Sequence, residues 1–139
     1  MSKELGELIA AEALTWVGTP FEHQGRLKRS GVDCIGVVGM SGKNCGCKVD
    51  DRTNYAALPD GFTLEAELDR QMLVVPKEEM RAGDVPMFRI PKRPRHVAVY
   101  VGGGRMVHAS YDVGKVILST YDGYWPRQLV KVYRFKEAA

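Results

Sequence analysis

The sequence predicts one α+β domain over residues 1–139, its helices packed on one face of an antiparallel sheet of about five strands. Two changes of pattern carry that reading. Apolar residues near the N-terminus recur at helical spacing, whereas after Pro76 they fall in short runs of Val, Phe, Ile and Tyr bounded by Gly, Pro and Asp. A chain with 45% hydrophobic and 27% charged residues has ordinary globular composition. At this length it can bury a core without a metal or a disulfide framework.

Leu5, Leu8, Ile9, Ala13, Leu14 and Val17 form a stripe with acids opposite, and Gly18-Thr19-Pro20 ends it, so Ser2 to Val17 reads as an amphipathic helix. The polar, basic stretch from Phe21 to Gly31 reads as a loop leading into Val32-Asp33-Cys34. From Cys34 onward, Ile35, Val37, Val38 and Met40 suit a second helix, and Asp33 is a competent N-cap for its first turn. Ser41 to Asp51 reads as a loop, and Thr63 to Met72 as a short helix with Leu64, Leu68 and Met72 inward.

Strands are expected at Asp84 to Ile90, His96 to Val101, Arg105 to Ala109, Lys115 to Ser119 and Leu129 to Phe135. Gly102-Gly103-Gly104 joins two of them as a hairpin turn rather than a phosphate cradle, because it leads into a strand and not a helix. There is no internal repeat, low-complexity segment or interdomain linker.

A formal net charge of +3 is mildly basic, and its Lys and Arg are scattered apart from Arg26 to Arg29 and Lys92 to Arg95, which argues against a nucleic-acid partner. No run approaches the length of a membrane span, and the N-terminal segment is interrupted by acids. The expectation is therefore synthesis in the cytoplasm without a signal peptide and no membrane insertion. Three cysteines are too few for a disulfide framework. Cys45-Gly46-Cys47 lacks the second close pair of a structural zinc site, so neither a metal nor a cofactor is expected.

The remaining chemistry centres on Cys34. A thiol at a helix N-terminus gains partial positive charge and unpaired N–H groups that favour its thiolate. His96 opens one predicted strand and His108 closes the next, so a hairpin brings both imidazoles to one end of the sheet. A cysteine hydrolase needs a base to take the thiol proton and a third polar group to fix that base. Tyr100, Tyr111, Trp125 and Tyr133 read as core or groove-wall aromatics, and Trp16 as core.

Four blocks carry a resemblance: Val32-Asp33-Cys34-Ile35-Gly36-Val37-Val38, Arg81-Ala82-Gly83-Asp84-Val85-Pro86-Met87-Phe88, His96-Val97-Ala98-Val99-Tyr100-Val101-Gly102 and Met106-Val107-His108-Ala109. In order and content they resemble the NlpC-type cell-wall cysteine peptidases, which have a papain-like core. The resemblance implies that Cys34 is the nucleophile, His96 the base and His108 the third member of the triad. It also implies a substrate, the peptide stems of bacterial peptidoglycan, cut between D-γ-glutamate and a diamino acid. Ile35 stands where many relatives carry Ser, a tolerable change because the backbone N–H is what an oxyanion hole uses.

Phe21 stands near where many relatives place a tyrosine, and phenylalanine lacks that hydroxyl. His23 is the candidate replacement, and Phe21, His23, Arg26 and Asp33 are the expected substrate-side residues, with Lys28 and Arg29 as further candidates for the stem carboxylates. Gly18-Thr19-Pro20-Phe21, through Arg26, together with Pro59-Asp60-Gly61 and Arg81-Ala82-Gly83-Asp84, resemble the branch found in phage tails, prophages and gene-transfer particles. That branch implies tail proteins as partners and action at the wall as part of a particle. The alternatives are a structural tail-tip subunit and a related amidase or acyltransferase on another substrate.

Overall fold

Residues 2–51, 62–91 and 93–137 are described by the computed structural model. Ser2 starts helix α1 (Lys3–Leu14) by accepting the Leu5 amide on its hydroxyl at 3.1 Å. Gly6, Ile9, Ala10 and Ala13 form the buried face of this helix. The predicted continuation to Val17 is instead a turn, because Gly18 takes a positive φ and its amide bonds to Val116 O.

The loop expected from Phe21 to Gly31 contains a small hairpin, β1 (Arg26–Leu27) and β2 (Gly31–Val32). Helix α2 (Cys34–Lys43) follows and runs into the stretch expected to be a loop after Met40. The apolar core extends with it: Ser41 and Gly42 are buried, and Gly42 lies against the Phe135 ring. Helix α3 (Phe62–Gln71) turns Leu64 and Leu68 inward, and Met72 just beyond it is also buried. Pro59-Asp60-Gly61 lies outside the described residues.

The five expected strands are present with one split and several additions. They are β4 (Val85–Ile90), β5 (Arg93–Val97) with β6 (Val99–Gly102) in place of a single strand, β7 (Arg105–Ser110), β8 (Lys115–Thr120) and β9 (Leu129–Arg134). An unexpected strand, β3 (Leu73–Val75), pairs with β9. Pairing within the two larger sheets is antiparallel, in the orders β3-β9-β4-β5 and β6-β7-β8. Backbone bonds from Ala98 N to Pro86 O and from Tyr100 N to Asp84 O carry the ladder across the break at Ala98.

Strand alternation then gives the sheet two differently furnished faces. Val85, Met87, Val97, Val99, Val107 and Ala109 join Ile9, Ala13 and Val37 in the main core, on the α1 and α2 side. Phe88, Ala98 and Met106 belong to a second cluster with Tyr121 and Trp125. A short helix that the sequence did not reveal, α4 (Tyr124–Gln128), brings Trp125 there and packs on β4. The helices therefore do not all pack on one face of the sheet.

Two buried features hold the entry to β4. Gly83 has φ +93°, and a Cβ there would come 2.5 Å from the backbone of Gly6, so α1 approaches this turn as closely as it does only because Gly83 has no side chain. Asp84, fully buried, receives Arg134 Nε and Nη2 at 2.8 and 2.9 Å and the Arg81 amide at 2.9 Å. Asp84 thereby ties the turn before β4 to β9. Among the described residues no helix is long and apolar enough to cross a membrane.

Candidate active site

Asp33 sets the geometry at the start of α2. Its Oδ1 accepts the Gly36 amide at 2.8 Å, capping α2, and also Arg26 Nη1 at 3.1 Å; its Oδ2 accepts the Gln24 amide at 2.8 Å. One carboxylate thus ties the loop before the β1–β2 hairpin to the first turn of α2. Gly36 makes the approach possible, since a Cβ there would meet Val32 Cγ2 at 2.6 Å and both Arg26 Nη1 and Gly25 O at 2.8 Å. Cys34 is the first residue of α2 and is buried, 2% exposed. Amides of a helix's first turn lack intrahelical acceptors and point toward its N-terminal end.

Helix α2 packs on β5 and β7, the two strands that bear the histidines. His96 pairs opposite Phe88 on β4, and Val99 stands opposite Val107 across β6 and β7. Continued by one residue, that register places Ala98 opposite His108, with His96 one pleat away on the same face. The outcome is a direct contact: His96 Nε2 and His108 Nδ1 are 2.8 Å apart, with both rings buried. His96 Nδ1, also buried, is on the other side of its ring from this bond.

On its far side, His108 Nε2 lies 2.8 Å from Ser119 Oγ. Trp125 covers the pair, with its ring 5.1 Å from His108 and 5.9 Å from His96, and is itself braced edge-on by Phe88 at 5.0 Å. Burial pulls His108 from the ordinary 6.5 down to about 4, so this imidazole is neutral at neutral pH. The histidines form one wall of a cleft of about 480 Å³, completed by Ile117, Ser119, Tyr111, Tyr124 and Trp125 among others.

The other expected residues divide. Phe21 sits edge-on to Tyr111 at 5.5 Å, beside the cleft wall, and its amide bonds to Gly114 O. His23 lies in the turn ahead of β1, with Nδ1 3.9 Å from Asp33 Oδ2. Arg26 is 14% exposed and directed at protein carboxylates, with Nε at 3.0 and 3.1 Å from the two Asp51 oxygens in addition to its Asp33 contact. Lys28 pairs with Glu12 at 3.0 Å and lies over the Trp16 ring.

Sequence reasoning did not single out Ser119, which read only as the end of a strand. The signal for it lies in the ladder: Met106 faces Ser119 and His108 faces Ile117, so alternation puts Ser119 on the His108 side. The remaining thiols are unlike a nucleophile. Burial, with Cys45 and Glu137 nearby, pushes the Cys47 thiol up to about 11, and burial also raises Cys45. Among the described residues no group of three or more His, Cys, Asp or Glu side chains forms a metal site.

The NlpC/P60 family model matches residues 18–134. The chain is 32% identical over 139 residues to a Haemophilus influenzae protein named "Probable endopeptidase", covering 94% of this chain and 79% of that protein. It is 29% identical over 114 residues to the Escherichia coli "Murein DD-endopeptidase MepS/Murein LD-carboxypeptidase", covering 81% and 54%. It is 31% identical over 138 residues to the Bacillus subtilis "Bifunctional muramidase/DL-endopeptidase CwlT", covering 97% and 38%. The chain thus spans about half or less of the length of the latter two. Among solved structures, NlpC2 from Trichomonas vaginalis has the same fold, with a TM-score of 0.74 at 18% identity over 94% of this chain and 47% of that one. On the match of the family model over most of its length, the chain belongs to the NlpC/P60 family, the cysteine peptidases that its four sequence blocks resemble.

Proposed function

We propose that this chain is a peptidoglycan endopeptidase in which Cys34 is the nucleophile, His96 the general base and His108 the group that holds the base. The observation that carries the proposal is the 2.8 Å contact between His96 Nε2 and His108 Nδ1. With Nε2 engaged, His96 Nδ1 is the nitrogen assigned to the thiol of Cys34, whose helix packs against β5.

In the proposed reaction His96 takes the Cys34 proton and the thiolate attacks the amide carbonyl. The backbone N–H groups of the first turn of α2, that of Cys34 foremost, stabilise the oxyanion. The carbon–nitrogen bond then breaks, His96 protonates the departing amine, and a thioester remains. Water, deprotonated by His96, attacks the thioester and releases the carboxylate product with the regenerated thiol. Asp33 and Arg26 are assigned to positioning the first turn of α2, because their polar groups are directed at Gly36, Gln24 and Asp51. Phe21 and His23 remain the proposed substrate-side residues, His23 as a donor in place of the tyrosine hydroxyl.

The bond we assign is that between D-γ-glutamate and a diamino acid. The four-block resemblance and the DL-endopeptidase name of the Bacillus subtilis relative support it; the Escherichia coli relative is named for DD-endopeptidase and LD-carboxypeptidase activity. Incubation of the chain and Cys34→Ala with muropeptides containing both bonds, followed by mass spectrometry, tests this. Cleavage at the D-γ-glutamyl bond, lost in the variant, is expected. Cleavage of the DD cross-link alone refutes the bond assignment, and equal inertness of both proteins across wall types refutes the enzymatic reading.

The opening block around Gly18 to Arg26 also supports delivery to the wall with a phage-like particle and its tail proteins. Proteomics of purified particles from cells expressing the chain tests that placement, and consistent absence of the chain from them overturns it.

A further inference from the structure

The hydroxyl of Ser119 has no part in the triad as described, yet it closes a chain of polar contacts: His96 Nε2 to His108 Nδ1 at 2.8 Å, then His108 Nε2 to Ser119 Oγ at 2.8 Å. We propose that Ser119 is a positioning residue that holds His108 in the tautomer with its proton on Nε2, leaving the Nδ1 lone pair to brace the His96 imidazolium. The proposal rests on the triad reading given above.

The argument is one of counting protons. A neutral imidazole carries one N–H and one lone pair, and only one proton fits between two nitrogens at hydrogen-bond distance. Once His96 has taken the thiol proton, both of its nitrogens are protonated, so Nε2 donates toward His108. His108 Nδ1 must then accept. If His108 instead carried its proton on Nδ1, two N–H groups would confront each other and the imidazolium would be destabilised. The productive state therefore puts the His108 proton on Nε2, where Ser119 Oγ stands as acceptor.

That acceptor matters because His108 is only 3% exposed and water has little access to it. A buried N–H left without an acceptor is costly. The depressed titration of His108 agrees, since it keeps the ring neutral and its single proton a matter of tautomer. A hydroxyl suits both halves of the cycle: neutral His96, with Nδ1 open to the thiol proton, and charged His96 both donate from Nε2 to His108 Nδ1, so in both states Ser119 Oγ accepts from His108 Nε2. An alanine accepts in neither.

Ser119 is placed for this by the sheet rather than by the core. It is half-buried on β8, at the end of the β6-β7-β8 order, and lines the same cleft as the two histidines. Loss of one hydroxyl there leaves no large cavity, so Ser119→Ala is expected to fold.

The test compares the full chain with Ser119→Ala and Ser119→Thr. Histidine side-chain nitrogen NMR at neutral pH reads the tautomer, steady-state muropeptide cleavage separates kcat from KM, and Cys34 alkylation is followed against pH. The wild type is expected to show His108 protonated on Nε2. Ser119→Ala is expected to lose that tautomer's dominance, to lower kcat about tenfold with KM within about twofold, and to shift the alkylation limb to higher pH. Ser119→Thr is expected to restore all three.

A wild-type His108 protonated on Nδ1 overturns the proposal, as does Ser119→Ala with unchanged tautomer and kcat. A wild type that neither cleaves muropeptides nor shows enhanced Cys34 reactivity overturns the triad reading instead. In that case the NMR measurement still decides whether Ser119 fixes the ring.

Discussion

His96 and His108, twelve residues apart in sequence, meet Nε2 to Nδ1 at 2.8 Å beneath the ring of Trp125. The contact joins strands on either side of the break at Ala98 and shields both imidazoles from water. In the proposed triad the second ring, kept neutral by its burial, is an acceptor rather than a charge, which separates orientation of the base from its titration.

Removal of that acceptor should slow chemistry more than binding. His108→Ala is expected to lower kcat by about 10²-fold with a smaller effect on KM, and His108→Gln, whose side-chain oxygen can accept, to recover part of the loss. Steady-state kinetics on one defined muropeptide checks both variants. Equal kcat in wild type and His108→Ala removes His108 from the mechanism.

The buried His108 also makes stability depend on pH. Its folded pKa of about 4 lies below the ordinary 6.5 of the unfolded chain, so between those values the unfolded state binds more protons. Stability is therefore full above pH 6.5 and declines as pH falls toward 4. At about 1.4 kcal/mol per unit, the whole effect is on the order of 3 kcal/mol. Urea denaturation of wild type and His108→Gln at a series of pH values should show a shallower decline for the variant within that window.

Trp125 supplies much of the cover over the two rings. Trp125→Ala should cost about 2–4 kcal/mol in stability and, by readmitting water, raise the His108 pKa from about 4 toward 6.5. Trp125→Phe should restore most of both. NMR titration of His108 alongside thermal melts measures the two effects separately.

The three cysteines should differ sharply in reactivity. Below pH 7 an alkylating agent should label Cys34 through its thiolate–imidazolium pair, while Cys45 and Cys47, both raised by burial, stay protonated and slow. Peptide mapping after timed labelling reads each site. Uniform rates across the three would remove the case for a special thiol.

Asp33 should matter more to the fold than its size suggests. Its carboxylate receives the Gly36 and Gln24 amides and the Arg26 guanidinium from a 3% exposed position. Asp33→Ala should destabilise the chain by about 2–4 kcal/mol and lower kcat, since α2 loses its cap and the loop before the β1–β2 hairpin its anchor. Chemical denaturation with activity measured well below the melting temperature distinguishes lost fold from lost alignment.

Much of this was legible locally. Asp33 before an apolar run marks a capped helix with Cys34 at its start, because capping involves residues three apart. His96 and His108 were legible as a pair because a glycine turn and strand alternation fix which side chains share a face. Less was visible where the pattern is weak or the partner distant. The β1–β2 hairpin has two-residue strands, β3 is three residues long, and α4 is a single short helix, none long enough to show a period. The substrate-side expectation for Arg26 drew on its charge, but Asp51 and Asp33, 25 and 7 residues away, are where the guanidinium is directed.

The sequence by itself determined the order of elements, the helix start at Cys34 and the two histidines on one pleated face, since capping and alternation act between near neighbours. Only the tertiary structure decided that β5 and β6 break at Ala98 yet continue one ladder, that Trp125 roofs the imidazoles from the opposite side to α1 and α2, and that Ser119 meets His108. Those contacts depend on strand register and on side chains converging from distant segments, and such geometry exists only once the chain has closed around its core.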